Sequence, residues 1–127
     1  MSVMGDVADY TIQPKPLVVE DAVSSHDLVI DDIKSSILSY PGCTELVDDM
    51  LARKEFGLRK YGTILHPDNG RDHTKDAYDE VLDLLVYLRT VMESDEDLYD
   101  LFWLDYRNAM STALKLRVRM TVRSVSG

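Results

Sequence analysis

The chain has 127 residues, 45% of them apolar and 29% charged, which predicts a single globular domain and excludes wholesale disorder. Its net charge of −9 argues against general nucleic-acid binding, and no window approaches eighteen uncharged apolar residues, so no membrane span is predicted. The single cysteine, Cys43, and the lack of a signal-peptide pattern favour a reducing, cytoplasmic location in a bacterial or phage-infected cell.

The charge is unevenly distributed along the sequence. Residues 109–127 contain four basic residues and no acid, so they sum to +4, and the remaining 108 residues therefore sum to −13. An acidic body of this kind either keeps the protein soluble or forms a carboxylate site for a divalent cation. The order of the residues has to decide between the two.

In chain order, residues 1–23 are predicted to be extended or irregular because Pro14 and Pro16 disfavour helix, with a short strand allowed over residues 17–19. Four amphipathic segments follow, and each has helix-start or helix-stop chemistry at an end. A turn around Pro67-Asp68-Asn69-Gly70 separates the second helix from the third, and residues 121–127 are predicted to be a flexible tail. The predicted helices run from Ser24 or Ser25 to about Tyr40, from a Thr44 cap to about Tyr61 with Gly62 closing it, from His73 to about Glu93, and from a Ser94 cap to about Met120. The predicted fold is an all-α domain over residues 24–120, with about four helices in a bundle.

The third helix carries an acidic stripe. Asp76, Glu80, Asp83 and Tyr87 recur at i, i+4, i+7 and i+11, and Asp83 is the only polar residue in the run VLDLLVYL. This pattern predicts that Asp83 is buried, where an unpaired carboxylate would cost several kcal/mol. Two carboxylates three residues apart, Glu80 and Asp83, can converge on one oxygen-seeking cation such as Mg²⁺.

An ion pair explains a buried Asp83 equally well. Lys54 falls on the apolar face of the second helix and is a candidate partner. The pattern alone leaves both interpretations open. The second helix also supplies further acids, and a metal site between the two helices would take Asp49 and Glu45 from it.

The second half of the third helix is apolar nearly all round. Leu82 and Val86 lie opposite the main apolar stripe, and Tyr87 is predicted to be a core or interface aromatic. One domain of this size has difficulty covering both faces, so the sequence predicts a homo-oligomer, either a dimer or a dimer of dimers.

Several motifs within residues 49–92 resemble short phage-encoded proteins of the MazG-like kind, which belong to the all-α nucleoside triphosphate pyrophosphohydrolases. The motifs are Arg53-Lys54, Lys60-Tyr61-Gly62-Thr63, Asn69-Gly70-Arg71-Asp72 and Asp76-Ala77-Tyr78-Asp79-Glu80-x-x-Asp83. The last contains the Glu-x-x-Asp motif of that superfamily. The first acidic motif departs from the family pattern: Glu45-x-x-Asp48 has the spacing but lies farther from the third helix than usual, whereas Asp49 stands where the phage relatives keep their acid.

The resemblance implies a Mg²⁺-dependent enzyme, with Mn²⁺ as a substitute, that cleaves a nucleoside triphosphate to the monophosphate and pyrophosphate. It implies catalytic roles for Glu80, Asp83 and Asp49. The implied metal ligands are Glu45, Asp49, Asp76, Glu80 and Asp83, and the implied substrate-binding residues are Arg53, Lys54, Lys60, Tyr61, Asn69 and Arg71.

Two alternatives belong to other classes of function. The first is a non-catalytic nucleotide-binding or interaction protein on the same helical scaffold, which the departure in the first acidic motif favours. The second is a purely structural helical protein in which Asp83 is tied to Lys54. His66 and His73 flank the turn without a metal-binding pattern and are not expected to bind a metal.

Overall fold

A computed structural model describes residues 13–19 and 21–126, with side chains as far as residue 123. Within these residues the fold is all helical, with four helices and no strand, as the sequence predicts. No helix in these ranges combines the length and the apolar character that a membrane crossing requires. The helices are α1 (Ser25–Ile37), α2 (Cys43–Tyr61), α3 (His73–Ser94) and α4 (Glu96–Ser126).

The chain divides into two compact units, Met1–Arg71 and Asp72–Gly127. Unit 1 contains α1 packed on α2, and unit 2 contains α3 packed on α4. Each helix buries part of its apolar surface on its neighbour in the sequence, so each pair forms its own helical hairpin.

Local chemistry sets the helix ends in unit 1. Ser24 caps α1, since its hydroxyl accepts a hydrogen bond from the Asp27 N–H at 3.4 Å. α1 ends at Ile37 rather than near Tyr40, because the Tyr40 N–H closes a turn onto the Ile37 carbonyl. The predicted Thr44 cap is also wrong: α2 begins at Cys43 after the left-handed Gly42. The predicted closure by Gly62 is confirmed.

The interior of unit 1 is partly polar. Ile30 and Cys43 are buried, but four polar side chains are buried with them: Ser24, Thr63, His66 and Asn69. Residues 17–19 form no strand; they belong to an irregular segment, residues 13–19, from which the Leu17 N–H donates to the Asn69 carbonyl at 2.8 Å. We call this segment the N-terminal strap. Residues 1–12 of the predicted irregular region lie outside the described residues.

Unit 2 is a tight hairpin with only Asp95 between its helices. Asp72 caps α3 through a hydrogen bond from the Lys75 N–H at 3.1 Å. Ser94 is the last residue of α3 rather than a cap of α4, and the Asp95 carboxylate instead accepts from the Asp97 N–H at 2.7 Å. The buried residues at the hairpin interface are Met92, Ala109 and Ala113.

α4 continues to Ser126, so residues 121–126 of the predicted tail are helical. Arg123 explains part of this extension: its Nη1 donates to the Thr74 hydroxyl at 3.3 Å and lies 3.8 Å from the Asp72 carboxylate. The last turns of α4 are therefore anchored at the start of α3, a long-range contact that the sequence of the tail does not indicate.

Candidate functional site

The acidic stripe of α3 faces away from α4. Asp83 precedes the buried Met92 by nine residues, which places it about 180° round the helix from the packed face. Glu80 and Asp83 are exposed and Asp76 is half-buried. The expectation of a buried Asp83 is therefore wrong, because α4 covers only one side of α3.

Glu80 and Asp83 have no hydrogen bond or ion pair within the described residues. The neighbouring Asp79, by contrast, accepts a hydrogen bond from the Lys75 ammonium at 2.9 Å, and both side chains are largely buried. Sequence reasoning missed this pair, although the i, i+4 spacing of a lysine and an aspartate was a usable signal. The ion pair with Lys75 holds Asp79 in place. The carboxylates of Glu80 and Asp83, one helical turn apart, can still bind a cation.

Tyr87, at the end of the acidic stripe, is 69% exposed, so the structure does not place it in a core. The apolar residues beside it are also exposed, with Leu84 at 44% and Val86 at 64%. The apolar face that α3 buries on α4 is therefore narrower than the sequence predicts, and it is centred on Met92. This face combines carboxylates with a wide apolar margin.

In unit 1, Lys54 has a different partner from the one predicted. Its ammonium nitrogen lies 2.9 and 3.0 Å from the two carboxylate oxygens of Asp27, in the first turn of α1. The lysine side chain is 25% exposed and the aspartate 46%. The helical pattern correctly placed Lys54 on the inner face of its helix, but it contained no information on which carboxylate meets it.

Two further basic residues of α2, Arg53 and Lys60, are exposed and lie over aromatic rings. The Arg53 guanidinium carbon is 4.9 Å from the centre of the Phe56 ring, and the Lys60 ammonium is 5.2 Å from the centre of the Tyr61 ring. Such contacts hold a cation at the surface without neutralising it. Tyr61 is 51% exposed, so it can contact a ligand.

The predicted carboxylates of α2, Glu45 and Asp49, are both exposed. Unit 2 supplies the other three predicted metal ligands, Asp76, Glu80 and Asp83. Across residues 13–19 and 21–126, no group of three or more His, Cys, Asp or Glu side chains is gathered as a metal site.

The turn after α2, residues 62–71, contains polar side chains that are buried and hydrogen-bonded to the backbone. Asn69 is fully buried; its side-chain oxygen accepts from the Arg71 N–H at 3.1 Å. His66 is 2% exposed, and its Nδ1 accepts from the Asp68 N–H at 3.3 Å. The Arg71 guanidinium donates to the carbonyl of Pro14 in the N-terminal strap at 2.9 Å. Turn propensity correctly located this segment but did not indicate that its polar side chains point inward.

His26, in the first turn of α1, lies beside this turn, because the N–H of Ser25 donates to the carbonyl of Leu65 at 2.7 Å. Burial lowers the pKa of His26 below its ordinary value, and the cations Lys54 and Arg53 lower it further, against the opposing influence of Asp27. The imidazole is therefore neutral near pH 7. Sequence analysis had assigned no role to His26.

Comparison with family models, with curated proteins and with solved structures finds no match to this chain.

Proposed function

We propose that this protein is a Mg²⁺-dependent nucleoside triphosphate pyrophosphohydrolase, which converts a nucleoside triphosphate to its monophosphate and pyrophosphate. The observation that carries the proposal is the pair Glu80 and Asp83, two exposed carboxylates one helical turn apart on α3. Neither is paired with a basic side chain of residues 13–19 or 21–123. The MazG-like motifs in residues 49–92 supply the reaction to which this pair is assigned.

The proposed chemistry requires a cation between the protein and the phosphate oxygens. In this proposal, Glu80 and Asp83 hold Mg²⁺, with Mn²⁺ as a substitute, and Asp76 stands one turn earlier on the same stripe. A cation bound there would neutralise charge on the triphosphate and would lower the pKa of an attacking water. The resemblance assigns Glu45 and Asp49 as further metal ligands and gives Asp49 a catalytic role, and both carboxylates are exposed on α2.

Basic side chains would stabilise the departing pyrophosphate. Arg53 and Lys60 are exposed cations, which supports this role. Lys54 is engaged by Asp27 and Arg71 by the Pro14 carbonyl, so each would have to exchange a protein contact for a phosphate contact. Tyr61 and Asn69 are the proposed contacts to the base or sugar.

The substitution Asp83→Asn tests the metal assignment. It keeps the shape of the side chain and removes one charge, so turnover should fall by orders of magnitude because the cation supplies most of the transition-state stabilisation. Stability without metal should hold or rise slightly, since like charges one turn apart repel by about 0.2–0.5 kcal/mol. Release of pyrophosphate and monophosphate from each of the eight common nucleoside triphosphates, with Mg²⁺, is the activity measurement. Thermal melts with and without Mg²⁺ provide the second.

Asp105→Asn is the matched control, because Asp105 is an exposed aspartate of α4 outside the proposed site. It should leave turnover and the Mg²⁺ effect unchanged. The metal assignment is wrong if Asp83→Asn retains wild-type turnover or if Mg²⁺ stabilises both variants equally. Nucleotide binding without release of pyrophosphate would instead indicate a non-catalytic nucleotide-binding protein.

A further inference from the structure

The turn of residues 62–71 contains two buried hydrogen-bond donors without an acceptor. His66 Nδ1 accepts from the Asp68 N–H, so in the neutral ring the proton is on Nε2, and this N–H has no partner in the described residues. Asn69 uses its side-chain oxygen to accept from the Arg71 N–H, so its NH₂ group is the free end, and it also has no partner there. Both side chains are at least 98% buried, His66 at 2% exposure and Asn69 at 0%.

Buried donors without acceptors are rare in native proteins because each has lost its hydration and gained nothing in return. Here both donors occur within four residues, and backbone hydrogen bonds fix the opposite edge of each side chain. Neither side chain can turn over to satisfy itself without breaking the bond it already makes. An acceptor from outside the turn would therefore satisfy donors that the turn itself leaves unpaired.

The chemistry of the pair selects the kind of acceptor. Two N–H donors repel a metal cation, and an ionised phosphate would have to give up its own hydration to enter so buried a position. A neutral carbonyl oxygen loses less on dehydration and accepts from N–H groups with both lone pairs. We propose that His66 and Asn69 recognise the keto oxygen of a nucleobase, an inference that rests on the proposed function only in taking the ligand to be a nucleotide.

The N-terminal strap contacts this turn at Asn69, Gly70 and Arg71. Its Leu17 N–H bonds the Asn69 carbonyl, and the Leu17 side chain lies so close to Gly70 that a methyl group added there would stand 3.1 Å from Leu17 Cδ1. The Leu17 side chain is nevertheless 56% exposed. A base that displaces the strap would exchange these contacts for the two free donors.

The inference predicts a preference for keto bases over adenine, which has no keto oxygen. The test uses the ¹⁵N-labelled full chain with α,β-imido analogues of dUTP, dGTP and dATP in the presence of Mg²⁺. The side-chain NH₂ signal of Asn69 and the Nε2–H signal of His66 should shift with the uracil and guanine analogues and stay unchanged with the adenine analogue. Equal shifts with all three analogues, or no shift of either signal while other signals move, would overturn the inference.

A variant provides a second readout. Asn69→Asp keeps the acceptor for the Arg71 N–H and removes the NH₂ donor, so the affinity for the uracil analogue should fall about tenfold relative to that for the adenine analogue. An unchanged ratio contradicts the proposal. Because none of these measurements follows hydrolysis, a protein that binds keto bases but releases no pyrophosphate would refute the proposed function alone. A protein that releases pyrophosphate without the keto preference would refute this inference alone.

Discussion

His26 couples the stability of unit 1 to pH. Its pKa in the folded protein lies below the ordinary value of 6.5, chiefly through burial. As the pH falls below about 6.5, the unfolded chain therefore binds a proton that the folded chain does not, and the free energy of unfolding decreases. The stability is restored as the pH rises back through 6.5.

We expect the melting temperature of the wild type to fall more steeply between pH 7.5 and 5.5 than that of His26→Gln, which has no titrating ring. Thermal melts followed by circular dichroism across this range check the difference between the two proteins. Acidic groups common to both cancel in the comparison. Parallel curves for wild type and variant would show that His26 is not the group responsible.

At the residue scale, helical periodicity predicts the helix face on which a side chain lies better than it predicts the groups around that side chain. Helical periodicity placed Lys54 on an inner face, but its carboxylate partner lies in α1, 27 residues earlier. It also predicted burial for Asp83 from its apolar neighbours in the sequence, whereas burial depends on which helix covers that side of α3. Turn chemistry explains Asn69, and His66 flanks the turn, but the pattern does not indicate that both side chains are buried.

At the scale of elements, alanine substitutions at Gly57 and Gly62 should change the free energy of unfolding in opposite directions. Gly62 ends the helix with a φ of 74°, a conformation that disfavours side chains, so Gly62→Ala should cost about 1–2 kcal/mol. Gly57 lies inside the helix, and a methyl group there would meet nothing within 4 Å, so Gly57→Ala should stabilise by about 0.5–1 kcal/mol. Each variant is the control for the other in urea denaturation. Shifts of the same sign in both would contradict the argument.

The number, type and order of the helices were predictable from local signals. Ser24, Gly62 and the apolar periodicity act over a few residues, and the structure confirms what they indicate. The predicted end of α4 is wrong because a contact distant in the sequence stabilises the last turns. Arg123 bonds to Thr74, and α4 continues beyond Met120. The division into two units was also missed, since periodicity identifies an apolar face but does not identify the helix that packs on it.

At the scale of the whole molecule, the exposed apolar surface of unit 2 predicts self-association. Val86, Leu101, Leu104 and Leu114 are each 64–68% exposed, an unusual amount of aliphatic surface for one helical hairpin. We expect a homodimer or a dimer of dimers, with a mass at least twice 14.4 kDa by light scattering at micromolar concentration. A 14.4 kDa species would contradict this expectation.

Charge introduced into this surface should separate the subunits. Leu104→Lys would place a cation in the apolar contact, so the mass should fall towards that of the single chain. Leu38→Lys, at a residue that is 64% exposed in the turn after α1, is the matched control and should leave the mass unchanged. Circular dichroism would verify that both variants keep their helices.

The single-residue connection between α3 and α4 also bears on how the chain folds. Two helices joined by so short a connection pack together with only a small loss of conformational entropy in the connecting loop. The connection between α1 and α2, residues 38–42, is almost as short. Pairings between sequence neighbours give a low contact order, the topology associated with folding in microseconds to milliseconds. During synthesis, Met1–Arg71 precedes Asp72–Gly127, so the first hairpin can form while the ribosome is still translating the second.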